Sequence, residues 1–282
     1  MAANDSLKSL SAAEYDQFCE RLESTSGIQL NAGKEYLVLS RLRKLLAQRN
    51  LPTVSELIYS MDRDSQLERQ VIDAMTTNET LWFRDTHPFQ ILRDRIFPEL
   101  AQQNTSIRIW SAACSTGQEP YSIKMEELEY RRRAARLPDL SVLATDLSPT
   151  ALSEAKSGAY PWIAIRRGLS GPYQEQYFTK TSEDVWTVKP EVRKGIEFRE
   201  FNLNDSYTRL GQFDVVFCRN VLIYFSSERK RDILIRIHGA LKEGGYLFLG
   251  ASEALTNLSD YYEMISCRPG IIYRKKAFAA DR

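Results

Sequence analysis

Residues 108–123 read RIWSAACSTGQEPYSI, and the change of character along this stretch decides the fold. It opens as a buried strand, passes through small residues to Gly117, and then enters a helix. A strand-loop-helix of this kind is where α/β proteins hold nucleotides, because unpaired backbone N–H groups and close backbone approach coincide there. The stretch contains neither G-x-x-x-x-G-K-[ST] nor G-x-G-x-x-G, which argues against a nucleoside triphosphate and against a dinucleotide pyrophosphate. A single glycine and an acid, Glu119, stand in their place. A carboxylate at the mouth of the loop repels phosphates and attracts a cation, so the sequence points to a nucleoside cofactor carrying positive charge.

Downstream of this stretch, apolar strand candidates alternate with helical segments: IRIWSA, SVLATD, GIEFREFN, FDVVFC and GYLFLG. That alternation predicts a parallel sheet with helices on both faces. The helix after the second strand is bracketed by Ser148 as cap, Pro149 at its first position and Gly158 beyond its end. The helix holding EELEYRRRAAR is expected to be extended. About forty residues separate Gly158 from the third strand, more than an ordinary connection, and EDVWTVKPEVRKGIEF is rich in strand formers. We expect a short antiparallel hairpin there, at about 173–196. Upstream, three capping boxes (Ser11/Glu14, Thr53/Glu56 and Ser65/Glu68) punctuate a helical region. Within YLVLSRLRKLLAQR, Val38, Leu39, Leu42, Leu45 and Leu46 share one helical arc, and Arg41 and Lys44 share another. The expected organisation is a helical domain over 1–76, a linker over 77–90 and an α/β domain over 91–282.

The 282 residues carry 38 Lys and Arg against 37 Asp and Glu, a net charge of +1 that gives no electrostatic case for wholesale nucleic-acid binding. Four scattered cysteines without C-x-x-C spacing suggest neither a disulfide framework nor a zinc site, and fit a reduced, cytoplasmic chain. No signal peptide or membrane-spanning run is visible, so any membrane connection is expected to run through a partner. Only His87 and His238 are present, which disfavours a histidine metal cluster or a Ser-His-Asp hydrolase. No metal is expected.

In an open α/β sheet the residues just after each strand face the ligand. Asp146 follows the second strand, 29 residues after Gly117, and suits a ribose diol; a solvent-exposed acid at a helix approach is the other reading. Asn202 and Leu203 follow the third strand, and Arg219 and Asn220 the fourth. Turn formation is the alternative for both asparagines. A cofactor with a ribose, an adenine and a cation to balance Glu119 is S-adenosylmethionine. The fourth strand exits into CRNVLIYF rather than an Asp/Asn-Pro-Pro-Tyr loop, which removes the commonest base-modifying methyltransferases. A non-catalytic cofactor-binding module stays open at this point.

The segments NETLWFRD (78–85), SAACSTGQEPYSI (111–123), LATDLS (143–148) and FCRNVLIYF (217–225) closely resemble the CheR family, the bacterial chemoreceptor glutamate methyltransferases. The order and spacing match across nearly the whole chain, including the helical domain and the small insertion, that family's β-subdomain. Trp82, where a second phenylalanine is usual, and Gln118, where glutamate is common, depart from the pattern. The resemblance implies a Rossmann-like S-adenosylmethionine-dependent methyltransferase. It implies cofactor contacts from Asn78, Thr80, Arg84, Glu119, Asp146, Asn202, Leu203, Arg219 and Asn220, with Arg84 and Tyr224 beside the reacting groups.

The implied reaction esterifies receptor glutamates and releases S-adenosylhomocysteine; methylation of another protein is the alternative. The implied partner is the cytoplasmic helical domain of chemoreceptors, met by a monomer recruited to receptor arrays. The KTSEDVW loop is short for a member that grips a receptor's C-terminal pentapeptide, so tether-independent action is expected. Residues 21–50 hold six basic residues against two acidic ones, and Arg41 and Lys44 are expected to steer an acidic substrate helix.

Overall fold

The computed structural model describes residues 10–103, 105–133 and 136–277. The ends of the expected helical and α/β domains, and Ala134 and Ala135 of the expected extended helix, lie outside them. The first four helices are α1 (Ala12–Ser26), α2 (Glu35–Arg49), α3 (Val54–Met61) and α4 (Ser65–Met75). Ser11 and Glu14 close a full capping box on α1, and Gly27 ends it at φ 78°. Thr53 caps α3 by accepting from the Glu56 amide. The expected box at Ser65/Glu68 is displaced by one residue: Asp64 is the cap, its Oδ1 accepting from Gln66 and Leu67 at 2.9 and 3.0 Å, and Ser65 is already helical. A carboxylate satisfies two amides at once and suits the helix dipole, so it outcompetes the adjacent hydroxyl. Phe18, Leu22, Val38, Leu42, Leu46 and Val71 meet in one core. Each such side chain contributes about 1.5–3 kcal/mol by leaving water.

A helical run follows as α5 (His87–Ile91), a π-helical turn (Leu92–Ile96) and α6 (Phe97–Gln103). It packs on the main sheet, whose strands are β1 (Ser106–Ala112), β2 (Asp139–Asp146), β6 (Ile196–Glu200), β7 (Phe213–Cys218), β8 (Leu241–Leu249), β9 (Tyr262–Cys267) and β10 (Gly270–Lys275). The order is β6-β2-β1-β7-β8-β10-β9. The first five are parallel, and β10 and β9 add antiparallel pairings at one edge. Alternation splits the strands between two cores. Trp110 and Val216 point to the side covered by Ile233, Leu234 and Ile237 of α12 (Ser227–Ala240). Ile109, Val215 and Phe217 point to the side covered by Phe89, Leu92 and Ile123, the last from α7 (Gln118–Arg133). The chain runs outward from β1 in one direction through β2 and in the other through β7, so the switch point falls between β1 and β7, where Ala112 pairs with Cys218.

Between α8 (Pro149–Ser157) and β6 lies the small sheet, β3 (Ala159–Pro161), β5 (Val185–Val188) and β4 (Phe178–Lys180), in the order β3-β5-β4 and antiparallel throughout. It is larger than the expected hairpin: a third strand begins directly after Gly158, and Ile196 already belongs to the main sheet. Three residues ending in an edge proline carry no readable period. Two short helices, α9 (Trp162–Arg166) and α10 (Gly171–Tyr177), connect its strands, and α11 (Pro190–Arg193) leads back to the main sheet. Trp82 is buried here, edge-on to Tyr160 and Phe178 at ring distances of 4.9 and 5.1 Å, and so ties the interdomain segment to the small sheet. Among the described residues no helix is long and apolar enough to cross a membrane.

Candidate active site

A cleft with about 980 Å³ of atom-free space, counting its open mouth, lies at the carboxyl ends of the parallel strands. The helical domain closes it through Ser26, Ile28, Met75 and Thr76. The loop after β1 is forced open by left-handed backbone at Ala113 (φ 65°), Ser115 (φ 50°) and Gly117 (φ 95°). Gly117 also has no room for a side chain, since a Cβ there would stand 2.9 Å from that of Ala155. This geometry turns the Ser115 amide onto Asp146 Oδ2 at 2.7 Å, while Asp146 Oδ1 accepts from the Ser148 amide at 2.9 Å. Burial pushes the Asp146 carboxyl up, and the Ser148 and Ser115 amides oppose that shift. Each carboxylate oxygen keeps a further lone pair for a diol.

Glu119, in the first turn of α7, donates nothing and accepts twice: from Ser111 Oγ at 2.7 Å and from Arg219 at 2.9 Å. Arg219 follows β7, and its side chain is 1% exposed. Its other terminal nitrogen reaches Asp85 at 2.8 Å and the Arg84 carbonyl at 2.7 Å. Burial raises the Glu119 carboxyl, and Arg219 is the main opposing influence. The cation closest to Glu119 is thus supplied by the chain itself. Two carboxylates share that one guanidinium, and the trio stays net negative. Arg219 Nε is buried without an acceptor among the described residues. An amino-acid end bearing both an ammonium and a carboxylate meets partners of both signs here, which fits the methionine part of S-adenosylmethionine.

All the residues implied for the cofactor and the reacting groups, from Asn78 to Tyr224, line this one cleft. Several also brace it. Asn202 donates to the Thr25 carbonyl at 2.8 Å, and Asn78 donates to Ser148 Oγ at 3.3 Å. The Tyr224 carbonyl accepts from the Gln29 amide at 2.8 Å, so the helical domain pins the turn carrying that ring. Arg84 lies in a segment where Phe83, Asp85 and Thr86 all have positive φ, a costly backbone that Arg219 holds in place. Its guanidinium makes one hydrogen bond, to the Glu79 carbonyl at 3.2 Å.

Arg41 and Lys44 lie outside the cleft lining. The Arg41 guanidinium donates to the Met75 carbonyl and to Thr77 Oγ1, so it fixes the start of the interdomain segment. Arg21 pairs with Glu68 at 2.7 Å and Asp62 at 3.1 Å, and Arg49 with Asp64 at 3.4 Å. The basic excess read from residues 21–50 is therefore partly answered within the domain. Lys34, Arg43 and Lys44 remain exposed.

Three supporting acids were not singled out from the sequence. Asp85 shares Arg219 with Glu119. Asp73 of α4 accepts from Ser148 Oγ at 2.5 Å and Thr150 Oγ1 at 2.6 Å, stitching the helical domain to the start of α8. Glu253 accepts from the amides of Asn220, Leu222 and Gly250 at 2.7 to 2.8 Å. Asp85 closes the NETLWFRD stretch, but each of the three acts across a sequence separation or on a backbone amide, and no local spacing reveals the partner. Burial pushes the Cys114 and Cys218 thiols well up, so neither is an activated nucleophile. Among the described residues no cluster of His, Cys, Asp or Glu could hold a metal ion.

The CheR methyltransferase all-alpha domain matches residues 13–76, and the CheR methyltransferase SAM binding domain matches residues 78–271. The chain is 53% identical over 269 residues to chemotaxis protein methyltransferase 1 of Pseudomonas aeruginosa, covering 94% of this chain and 98% of the relative. It is 51% identical over 269 residues to chemotaxis protein methyltransferase Cher2 of Pseudomonas putida, covering 93% and 98%. Chemotaxis protein methyltransferase 1 of Vibrio cholerae is 46% identical over 270 residues, with 95% and 98% covered. The chain belongs to the CheR family of S-adenosylmethionine-dependent methyltransferases.

Proposed function

We propose that the protein esterifies glutamate side chains on the cytoplasmic helical domain of chemoreceptors, acting as a monomer recruited to receptor arrays. The observation that carries this reading is the single cleft in which Asp146, the Glu119–Arg219–Asp85 trio, Arg84 and Tyr224 converge. Asp146 would hold the ribose hydroxyls, and the trio the methionine end. Leu203, Phe201 and Ile28 supply an apolar lining suited to the adenine.

Bound S-adenosylmethionine supplies a methyl group on a sulfonium, and the departing product is a neutral thioether. A substrate glutamate with an ordinary pKa of about 4.3 is already ionised near neutrality, so the new O–C bond forms without any proton transfer. No general base is required, in keeping with a cleft lined by no histidine. Arg84 would fix the substrate carboxylate and the Tyr224 hydroxyl would orient it, so that rate comes from alignment and a fixed local field. Esterification removes one negative charge from the receptor, which gives a means of biasing its signalling equilibrium.

The test is incubation with methyl-labelled cofactor and receptor-containing membranes, followed by mild base. Label released as methanol supports a carboxyl ester, while base-stable label contradicts it. The connection between β4 and β5 runs only from 181 to 184, and we take the protein to act without a C-terminal receptor tether. Micromolar binding of a receptor C-terminal peptide would contradict that.

A further inference from the structure

The turn after β7 has two sides. Val221, Tyr224 and Phe225 line the reaction cleft, whereas Leu222 and Ile223 line a second groove, with about 1350 Å³ of atom-free space counting the open solvent at its mouth, between the start of α12 and residues 252–257. Ile223 is 49% exposed, an apolar side chain presented to solvent at that edge. Groove and cleft are fixed to one another, because the Glu253 carboxylate lining the groove holds the amides of Asn220 and Leu222. A segment seated in the groove would rest against the same turn that carries Tyr224.

The opposite wall is the first part of α12, capped by Ser226 and reading Ser227-Glu-Arg-Lys-Arg231. Lys230 and Arg231 line the groove, and their side chains make no ion pair or hydrogen bond with the described residues. Glu228 is the one carboxylate of this turn on the groove, and Arg229 beside it reaches only Asp232, at 4.0 Å. Lys230 and Arg231 share the groove with the carboxylates of Glu228 and Glu253, and the Glu253 carboxylate is already engaged by three backbone amides. The two cations without an ion pair are thus available to carboxylates brought into the groove.

We propose that this groove docks the substrate itself: an acidic, amphipathic α-helical segment of the receptor next to the glutamate being methylated. An apolar residue of that helix would rest on Ile223, and its carboxylates would meet Lys230 and Arg231. The inference rests on the carboxyl-methylation reading above, and two features favour this occupant. The substrate class carries carboxylates by definition, and the groove and the reaction cleft are lined by alternate residues of one turn, 221–225.

The test uses the full chain, a soluble helical cytoplasmic fragment of a chemoreceptor free of lipid, low salt, and base-released methanol as readout. For Lys230→Glu with Arg231→Glu, KM for the fragment is expected to rise about tenfold, because charge complementarity governs encounter and register. The turnover number and calorimetric affinity for S-adenosylhomocysteine are expected to hold. The melting temperature is expected to stay level or rise, since acids suit that helix end. Ile223→Ser is expected to raise KM independently.

An unchanged KM at low salt would overturn the proposal. So would a defect seen only with receptors in anionic vesicles, which would make the patch a lipid contact. Were the double variant to lose stability, an unchanged KM in Ile223→Ser would overturn the proposal by itself. Failure of the wild-type chain to form any base-labile ester would instead bring down the carboxyl-methylation reading, and this docking surface with it.

Discussion

Arg219 and Glu119 meet at 2.9 Å beneath the cleft, the arginine almost wholly buried and bound at the same time to Asp85 and to the Arg84 carbonyl. One guanidinium therefore links the acid at the start of α7 to the strained turn that carries Arg84. A lysine could not span these partners, because the arrangement uses the two terminal nitrogens of a planar fork. Under the roles proposed for Glu119 and Arg84, this link would make cofactor seating and substrate alignment parts of a single arrangement. The predictions that follow separate them.

Asp146→Ala is expected to weaken S-adenosylhomocysteine binding by about 1.5–3 kcal/mol, the worth of a charge-assisted hydrogen bond. It also strips the Ser115 and Ser148 amides of their acceptor, so a modest fall in melting temperature should accompany it. Calorimetry showing unchanged affinity would mean that the ribose lies elsewhere.

Arg84→Ala and Tyr224→Phe should lower kcat by about tenfold or more and reduce turnover more than they reduce cofactor affinity, since their proposed role is alignment. Tyr224→Phe is the cleaner variant. It removes only the hydroxyl and keeps the carbonyl that accepts from Gln29. Normal turnover would reduce Tyr224 to packing.

The two-domain plan, the parallel sheet and the cleft residues at the strand ends were legible in the sequence, because strand ends and capping residues leave local signals, whereas Asn78, Thr80, Arg84 and Tyr224 were indicated only by the resemblance to the CheR family. What was not legible is instructive. The acidic cap Asp64 stands one residue before a plausible serine, and the choice between them depends on geometry rather than spacing. β3 is too short to show a period, and β9 and β10 were not singled out. Glu119 was read as awaiting a cation, when its nearest cation, Arg219, arrives from 100 residues away along the chain. Asp73 and Glu253 work through partners 75 and 33 residues distant, which no local pattern encodes.

Arg41 and Lys44 are expected to separate under mutation. Lys44→Glu should raise KM for receptor at low salt, and the difference should shrink at 0.1 M salt and above, where exposed charges are screened over about 10 Å. Arg41→Ala should instead perturb cofactor affinity and stability, because it frees the Met75 carbonyl and Thr77 at the edge of the cleft. Steady-state kinetics together with calorimetry would show whether the two variants differ in this way.

Glu126 of α7 gives a pH signature unconnected with catalysis. Burial pushes its carboxyl up to about 7 against an ordinary 4.5, with Arg93 at 3.1 Å opposing the rise. The folded protein holds this proton more tightly than the unfolded chain does. The associated stability is thus present in full below the unfolded value and is lost as pH climbs through about 7. Glu126→Gln should raise the melting temperature by a few degrees at about pH 8 and by almost nothing at about pH 5. Equal gains at both values would contradict the assignment.

The most direct test of the central claim is to locate the transferred methyl group. A receptor cytoplasmic fragment incubated with the protein and S-adenosylmethionine carrying a deuterated methyl is digested and sequenced by tandem mass spectrometry. The account predicts the heavy methyl on glutamate side chains, lost after mild base and strongly reduced with Tyr224→Phe. Heavy methyl on lysine or another base-stable position, or no transfer at all from a chain that binds the cofactor, would contradict it.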